Sequence, residues 1–259
     1  MVGALKAALT LFTILPAKND GKDVEELSCN FQLILFVGLF YGLLVGGIMY
    51  LSDGWLSRLV AAALAIAALH LLNRFLHLDG LSDLGDGMVC GGDAERKLSA
   101  MKDSKTGAGG VGYVMVFSIL SFATLGSLWG VGLLLLPLIA EIMNKNAVVF
   151  CAFGGKSRQG LGNLFVSNTG EKQAVISLLL SLLLSIGLVF IIDLLFFQAW
   201  SIERMIVLAV VAAFVSALTG LGMSRLAEKN FGAVNGDVLG ATNEIARPLL
   251  LIAMMLVLA

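Results

Sequence analysis

The chain has 259 residues, of which 58% are hydrophobic and 14% charged, with a mean hydropathy of +0.94. A soluble domain carries roughly 25% charged residues, so this composition excludes an ordinary cytosolic domain, a disordered chain and a disulfide scaffold, and leaves a polytopic membrane protein. Its 17 basic and 18 acidic residues nearly cancel, which gives nucleic acid no basic surface to bind.

In chain order, Lys6 precedes the apolar run Ala7–Leu15, which stops at Pro16. Pro16-Ala17-Lys18 lacks a small-x-small cleavage site. The run is therefore predicted to be a retained interfacial or re-entrant helix, too short to span. Spanning stretches follow at Phe31–Leu51, Leu56–Leu76, Val111–Leu128, Val131–Phe153, Gln173–Phe196, Arg204–Met223 and Ala246–Ala259, the last short enough to begin earlier, near Gly240. Backbone groups in lipid must be satisfied within the segment, and strand alternation is absent. The pattern predicts an all-α transmembrane helix bundle of about seven spans, six to eight, forming one integral-membrane catalytic domain over residues 1–259. Cys29, Cys90 and Cys151 lie far apart without metal spacing and read as small apolar side chains.

The links alternate in character. Gly54, Gly130 and the stretch near Gln198–Glu203 are short, whereas Pro16–Asn30, His77–Gly112, Gly154–Lys172 and Arg225–Ile245 are long and polar. All basic residues except Arg58 and Arg204 fall toward the long links. The positive-inside bias then places those links, and every polar cluster, on the cytoplasmic side of the cell (inner) membrane.

The densest chemistry is His77-Leu-Asp79-Gly-Leu-Ser-Asp83-Leu-Gly-Asp86-Gly87. Asp79, Asp83 and Asp86 fall at i, i+4 and i+7, so on a helix the three carboxylates share one face. Like charges stacked this way repel, and a divalent cation reverses the sign; hard oxygen ligands suit Mg²⁺ or Mn²⁺, with phosphate oxygens completing the shell. The interleaved glycines permit close approach by a bulky ligand. The alternative is a solvated acidic helix end.

Next comes Lys102-Asp103-Ser104-Lys105-Thr106-Gly107-Ala-Gly109-Gly110-Val-Gly112, just before a span. Lysines, hydroxyls and free backbone N–H groups at a helix start suit phosphate, although an ordinary basic loop has the same composition. Gly107-x-Gly109-x-x-Gly112 follows no strand, so it is no dinucleotide fingerprint. Gly154-Gly155-Lys156-Ser157 ends like a P-loop, but Phe150 stands where its first glycine belongs. A third cluster, Asn235-Gly-Asp237 to Glu244, sets two acids at i and i+7, or reads as a turn with Asp237 as helix cap.

Inside the fourth span, Glu141, Asn144, Lys145 and Asn146 should face the bundle interior or a polar cavity. Glu141 and Lys145 are spaced to pair with each other. Gly38-x-x-x-Gly42-x-x-x-Gly46 fits close helix packing. His70 and His77 fall on one face of a continuous helix, with His70 deeper and His77 beside the acids.

Asp83-x-x-Asp86-Gly87 matches the opening of the CDP-alcohol phosphotransferase signature, but Met88-Val89-Cys90 departs from its continuation. A fuller resemblance is to the cobalamin synthase family, the adenosylcobinamide-GDP ribazoletransferases. It rests on Leu11-Phe-Thr-Ile-Leu-Pro16, His77-Leu-Asp-Gly-Leu-Ser-Asp-Leu-Gly-Asp-Gly87, Met101-Lys-Asp-Ser-Lys-Thr-Gly107, and Asn235-Gly-Asp-Val-Leu-Gly-Ala241 with Glu244, in order and over essentially the whole chain. Ser82, Leu84 and Gly85 stand where relatives often carry Ala, Thr and Ala, and no acid is lost.

The resemblance implies transfer of the adenosylcobinamide phosphate moiety from adenosylcobinamide-GDP to α-ribazole, or its 5′-phosphate, with release of GMP, in a metal-dependent phosphotransfer. On that reading Asp79, Asp83, Asp86, Asp237 and Glu244 are the metal ligands, with Mg²⁺ (or Mn²⁺) as cofactor. Lys102, Ser104, Lys105, Gly107 and Asn235 hold substrate phosphate, and Asp103, Lys102 and His77 are catalytic. Partners are the two substrates and the lipid bilayer, and a homo-oligomer is compatible with the sequence. The alternatives are a CDP-alcohol phosphotransferase of phospholipid synthesis and a cation transporter. The transporter predicts intramembrane acids in several spans and repeat symmetry.

Overall fold

The computed structural model describes residues 2–16, 20–158, 160–196 and 201–259, which form twelve α-helices with no extended strand among them. Ala17 and Lys18 of the cleavage-site reading, and the start of the link near Gln198, lie outside the described residues. In order the helices are α1 (Val2–Phe12), α2 (Gly21–Cys29), α3 (Leu35–Leu51), α4 (Arg58–Leu72), α5 (Leu76–Val89), α6 (Ala94–Met101), α7 (Ala108–Gly126), α8 (Gly132–Gly154), α9 (Leu161–Asn168), α10 (Glu171–Phe196), α11 (Ile202–Phe231) and α12 (Gly236–Leu258). A 3-10 turn, Phe31–Ile34, leads into α3.

Among the described residues six helical segments are long and apolar enough to cross a membrane: Phe31–Leu51 and the helices α7, α8, α10, α11 and α12. The bent pair α4 and α5 brings the number to seven if it is counted as one broken span, in agreement with the predicted multi-pass bundle. Trp55 and Trp129 are exposed on the short links, where amphipathic rings suit a membrane–water boundary. The helix α1 has 11 residues, too few to span, and buries Ala4, Ala7 and Ala8 against its neighbours.

Helix α8 is the axis, buried almost throughout and flanked by α3, α10, α11 and α12. The glycine stripe of α3 permits one of these close approaches. A Cβ on Gly38 would lie 2.5 Å from the Glu141 carbonyl oxygen, and on Gly42 2.7 Å from the Leu138 Cα, so only small residues let the two backbones meet. Asn146 clasps two further helices, accepting from Ser177 Oγ at 2.7 Å and donating to Ser216 Oγ at 2.7 Å. Buried polar groups satisfied in this way fix which helices are neighbours.

Three boundaries differ from the sequence reading. The predicted span Leu56–Leu76 breaks at Asn73, and α5 leaves α4 at 92°. Arg74 and Phe75 take positive φ of 54° and 58°, which costs roughly 1–2 kcal/mol per residue. The turn is held by Phe75 N–H on the His70 carbonyl at 2.9 Å and by Arg74 Nη2 on the Thr10 carbonyl at 2.9 Å. His70 and His77 therefore sit on different helices rather than on one face. Most of the long link Arg225–Ile245 is helical: α11 runs on to Phe231, capped by Gly232 at φ 76°, and α12 begins at Gly236 behind an Asn235 cap. Polarity marks where a helix leaves the membrane, not where it stops. The link His77–Gly112 is likewise mostly α5 and α6.

Candidate active site

Helix α5 carries Asp79, Asp83 and Asp86 as its spacing requires, and close approaches on both flanks hold it in place. A Cβ on Gly80 would lie 2.7 Å from the Asp237 carbonyl oxygen, and on Gly85 2.6 Å from the Gly109 carbonyl oxygen. The glycines among the aspartates therefore admit α12 and α7, not a ligand. Asp86 accepts from Gly107 N–H at 2.7 Å and Gly110 N–H at 2.8 Å, so its carboxylate sits on the α7 N-terminus, where a negative charge is favoured. The Gly107 amide, expected to hold substrate phosphate, is given to that carboxylate instead.

Asp237, in the first turn of α12, joins the α5 aspartates. Its Oδ2 accepts from Asn235 Nδ2 at 3.0 Å, while Asn235 Oδ1 accepts from Val238 N–H at 3.0 Å and caps the helix. Asp83 has the carboxylates of Asp237, Asp79 and Asp86 as its charged neighbours. Among the described residues no three His, Cys, Asp or Glu side chains converge closely enough to hold an ion alone. The oxygen-only donor set suits Mg²⁺ bound through one or two carboxylates and completed by phosphate oxygens and water, rather than a closed protein cage.

Beside these acids lies a cavity of about 470 Å³. Of the sequence-predicted residues, His77, Asp79, Lys102, Asn235 and Asp237 line it. Lys102 reaches it from the end of α6, whereas Asp103, Ser104 and Lys105 stand on the exposed turn beyond, where Asp103 Oδ1 accepts from Lys105 N–H at 3.0 Å. Its apolar wall comes from α1, the 3-10 turn, α9 and α12, through Leu11, Phe12, Phe31, Ile34, Phe165 and Leu239. Sequence reading missed this wall.

Glu244 has different neighbours from those expected of a metal ligand. It is buried, and its two oxygens take Arg247 Nη1 and Arg247 Nη2, the latter at 3.3 Å. Arg247 Nε donates to Glu141 Oε1 at 2.5 Å, so Glu141 pairs across helices with Arg247 rather than with Lys145. His70 and His77 approach the same Glu244 carboxylate at 4.0 and 3.9 Å, and His77 Nδ1 lies 3.4 Å from Asn73 Nδ2. Lys145, fully buried, donates to Asn243 Oδ1, lies 5.1 Å from the Tyr41 ring centroid and lines the cavity. Starting the last helix at the Asn235 cap would have exposed the Arg247 signal, because Glu244 and Arg247 then fall at i, i+3 within an apolar span.

The chain matches the family model described as cobalamin-5-phosphate synthase over residues 4–255. It is 32% identical over 250 residues to an adenosylcobinamide-GDP ribazoletransferase of Methanocella arvoryzae, covering 95% of this chain and 93% of the relative. A protein of the same name from Thermococcus kodakarensis is 32% identical over 254 residues, with 98% of each chain covered. The corresponding protein of Methanococcoides burtonii is 28% identical over 262 residues, covering 97% of this chain and 91% of the relative. No solved structure matches. With aspartates, cavity and helical frame falling inside one match that runs nearly end to end, the chain belongs to the cobalamin-5-phosphate synthase family.

Proposed function

We propose that this membrane enzyme transfers the adenosylcobinamide phosphate moiety of adenosylcobinamide-GDP to α-ribazole, or to its 5′-phosphate, releasing GMP in cobalamin biosynthesis. The observation that carries the reading is the near full-length likeness to proteins named for this reaction. An acceptor hydroxyl attacks the phosphorus on the cobinamide side of the diphosphate. The bond from that phosphorus to the bridging oxygen breaks, and GMP leaves with the bridging oxygen. Positioning and charge neutralisation dominate such transfers.

The residues divide this work. We assign the Mg²⁺ or Mn²⁺ site to Asp79, Asp83 and Asp237, of which one or two would bind the ion directly, with Asp86 fixing the start of α7 beside them. The cation, when bound, supplies positive charge to the diphosphate. Lys102, on the cavity edge, neutralises phosphate from the protein side. His77 lines the cavity between Asn73 and Glu244 and is the group we assign to hold the attacking hydroxyl and take its proton. Glu244 then acts through His77. The site faces the cytoplasm of the cell membrane, a placement supported by the basic residues crowding its side of the bundle.

The test is GMP release by the purified protein in lipid nanodiscs. It should require both α-ribazole and Mg²⁺, stop on chelation and return when Mg²⁺ is restored. GMP release that ignores α-ribazole, or CMP release from CDP-diacylglycerol with an alcohol, would overturn the proposal.

A further inference from the structure

The cavity has two unlike walls. Three phenylalanine rings from three separate segments make one of them: Phe31 and Phe165 have centroids 4.7 Å apart, and Phe12 lies 6.5 Å from Phe165. Phe12 is also stacked on His77, at 6.1 Å and 29°, so the aromatic file runs to the edge of the acidic cluster. The other wall is polar, with the buried Lys145–Asn243 pair from α8 and α12 and with Asp79 and Asp237. A flat apolar ring joined to a hydroxylated sugar has this same division.

We propose that the cavity is the acceptor subsite, with the aromatic base of the acceptor nucleoside against Phe12, Phe31 and Phe165 and its ribose turned to Lys145 and Asn243. The assignment rests on the ribazole-transfer reading above. Size agrees: at about 470 Å³ the cavity falls among sites of about 300–1,000 Å³ that enclose small organic ligands. A corrinoid, with several times the atoms of a nucleoside, does not fit. Chemistry separates the two remaining candidates. Guanine carries donors and acceptors around its edge, and the wall of Leu11, Phe12, Phe31, Ile34 and Phe165 offers no side-chain partner for them. The dimethylated benzimidazole of α-ribazole presents mostly carbon and leaves little unpaired. Access to the reaction follows from the same geometry, because the sugar end adjoins Asp79 and His77.

The experiment pairs binding with steady-state kinetics on the full-length protein in nanodiscs. Replacing one ring by an aliphatic side chain, in Phe165→Leu and separately in the partly exposed Phe12→Leu, should weaken α-ribazole about tenfold, in calorimetric Kd without donor and in KM. KM for adenosylcobinamide-GDP should stay within about twofold, because only the acceptor loses stacking. In the wild type, GMP should not compete with α-ribazole, which tests the assignment even if a variant fails to fold. Phe214→Leu, on the outer face of α11, serves as the unaffected control. A rise confined to the donor KM, or competition by GMP, would give the cavity to guanosine. Unchanged constants for both substrates would mean that no substrate base sits there. A wild type that releases no GMP breaks the reaction reading, whereas normal turnover with indifferent phenylalanine variants breaks only this assignment.

Discussion

Deep in the bundle, Arg247 meets Glu141 and Glu244 while Lys145 rests on Asn243 and the Tyr41 ring. Two acids and two bases make that interior cluster neutral. On the rim, Asp79 and Asp83 gather with Asp237 while Asp86 sits on the α7 N-terminus, and among the described residues none of the four forms an ion pair with a lysine or arginine. The same side-chain types are thus kept in opposite electrostatic states. Charge held in lipid must be matched inside the protein. Charge left unmatched beside a cavity can be matched by what enters. The comparison separates scaffold from cavity rim: the interior cluster secures α8 to α12, and the rim gathers carboxylates beside the cavity.

The largest effect should come from upsetting the neutral cluster. Arg247→Met leaves two buried carboxylates facing one lysine, and removing one partner of a buried pair costs about 3–5 kcal/mol. The variant should accumulate poorly and unfold at a much lower temperature in detergent. Adding Glu141→Gln restores a one-to-one balance of Glu244 with Lys145, so the double variant should recover a large part of that loss. Equal instability of single and double variants would show that packing of the arginine, not charge matching, holds the cluster.

The rim should respond the other way. Asp83→Asn removes a repelled carboxylate, so unfolding temperature should hold or rise while turnover falls about 10²–10³-fold, the usual cost of deleting one group that stabilises developing charge. Wild-type GMP release by a folded Asp83→Asn protein would end its assignment to the metal. If both regions lost stability to the same degree, the contrast between them would be mistaken.

What the sequence disclosed about each region depends on how local the signal is. The limits Phe31–Leu51 could be read from hydropathy because crossing the hydrocarbon core takes about 20 apolar residues, close to the length of this segment. The aspartate face could be read because i, i+4, i+7 is a property of one helix. The tail of α11 and the first turns of α12 were lost because charged residues there continue a helix beyond the apolar window. Arg247 falls at the edge of the apolar run Ala246–Ala259, and its partner Glu141 lies on another helix. Phe12, Phe31 and Phe165 carry no chemical marker, and only tertiary folding brings α1, the 3-10 turn and α9 to one cavity.

The mildest perturbation tests whether the rim depends on how closely its helices approach. Gly42→Ala and Gly109→Ala each push a methyl group into a neighbouring backbone or side chain, against Leu138 in the first case and against Gly85 and Val89 in the second. Overpacking of this kind costs about 1–3 kcal/mol, so both variants should show similar, modest losses in unfolding temperature. Gly42 separates α3 from α8, away from the aspartates, and turnover per folded molecule should be preserved. Gly109 lies between the two glycines whose amides hold Asp86. Moving α7 outward should therefore loosen the Asp86 carboxylate and lower turnover with little change in KM for α-ribazole. Full activity in Gly109→Ala would mean that the aspartates keep their places without the α7 N-terminus, and that Asp86 is a helix cap with no bearing on the chemistry.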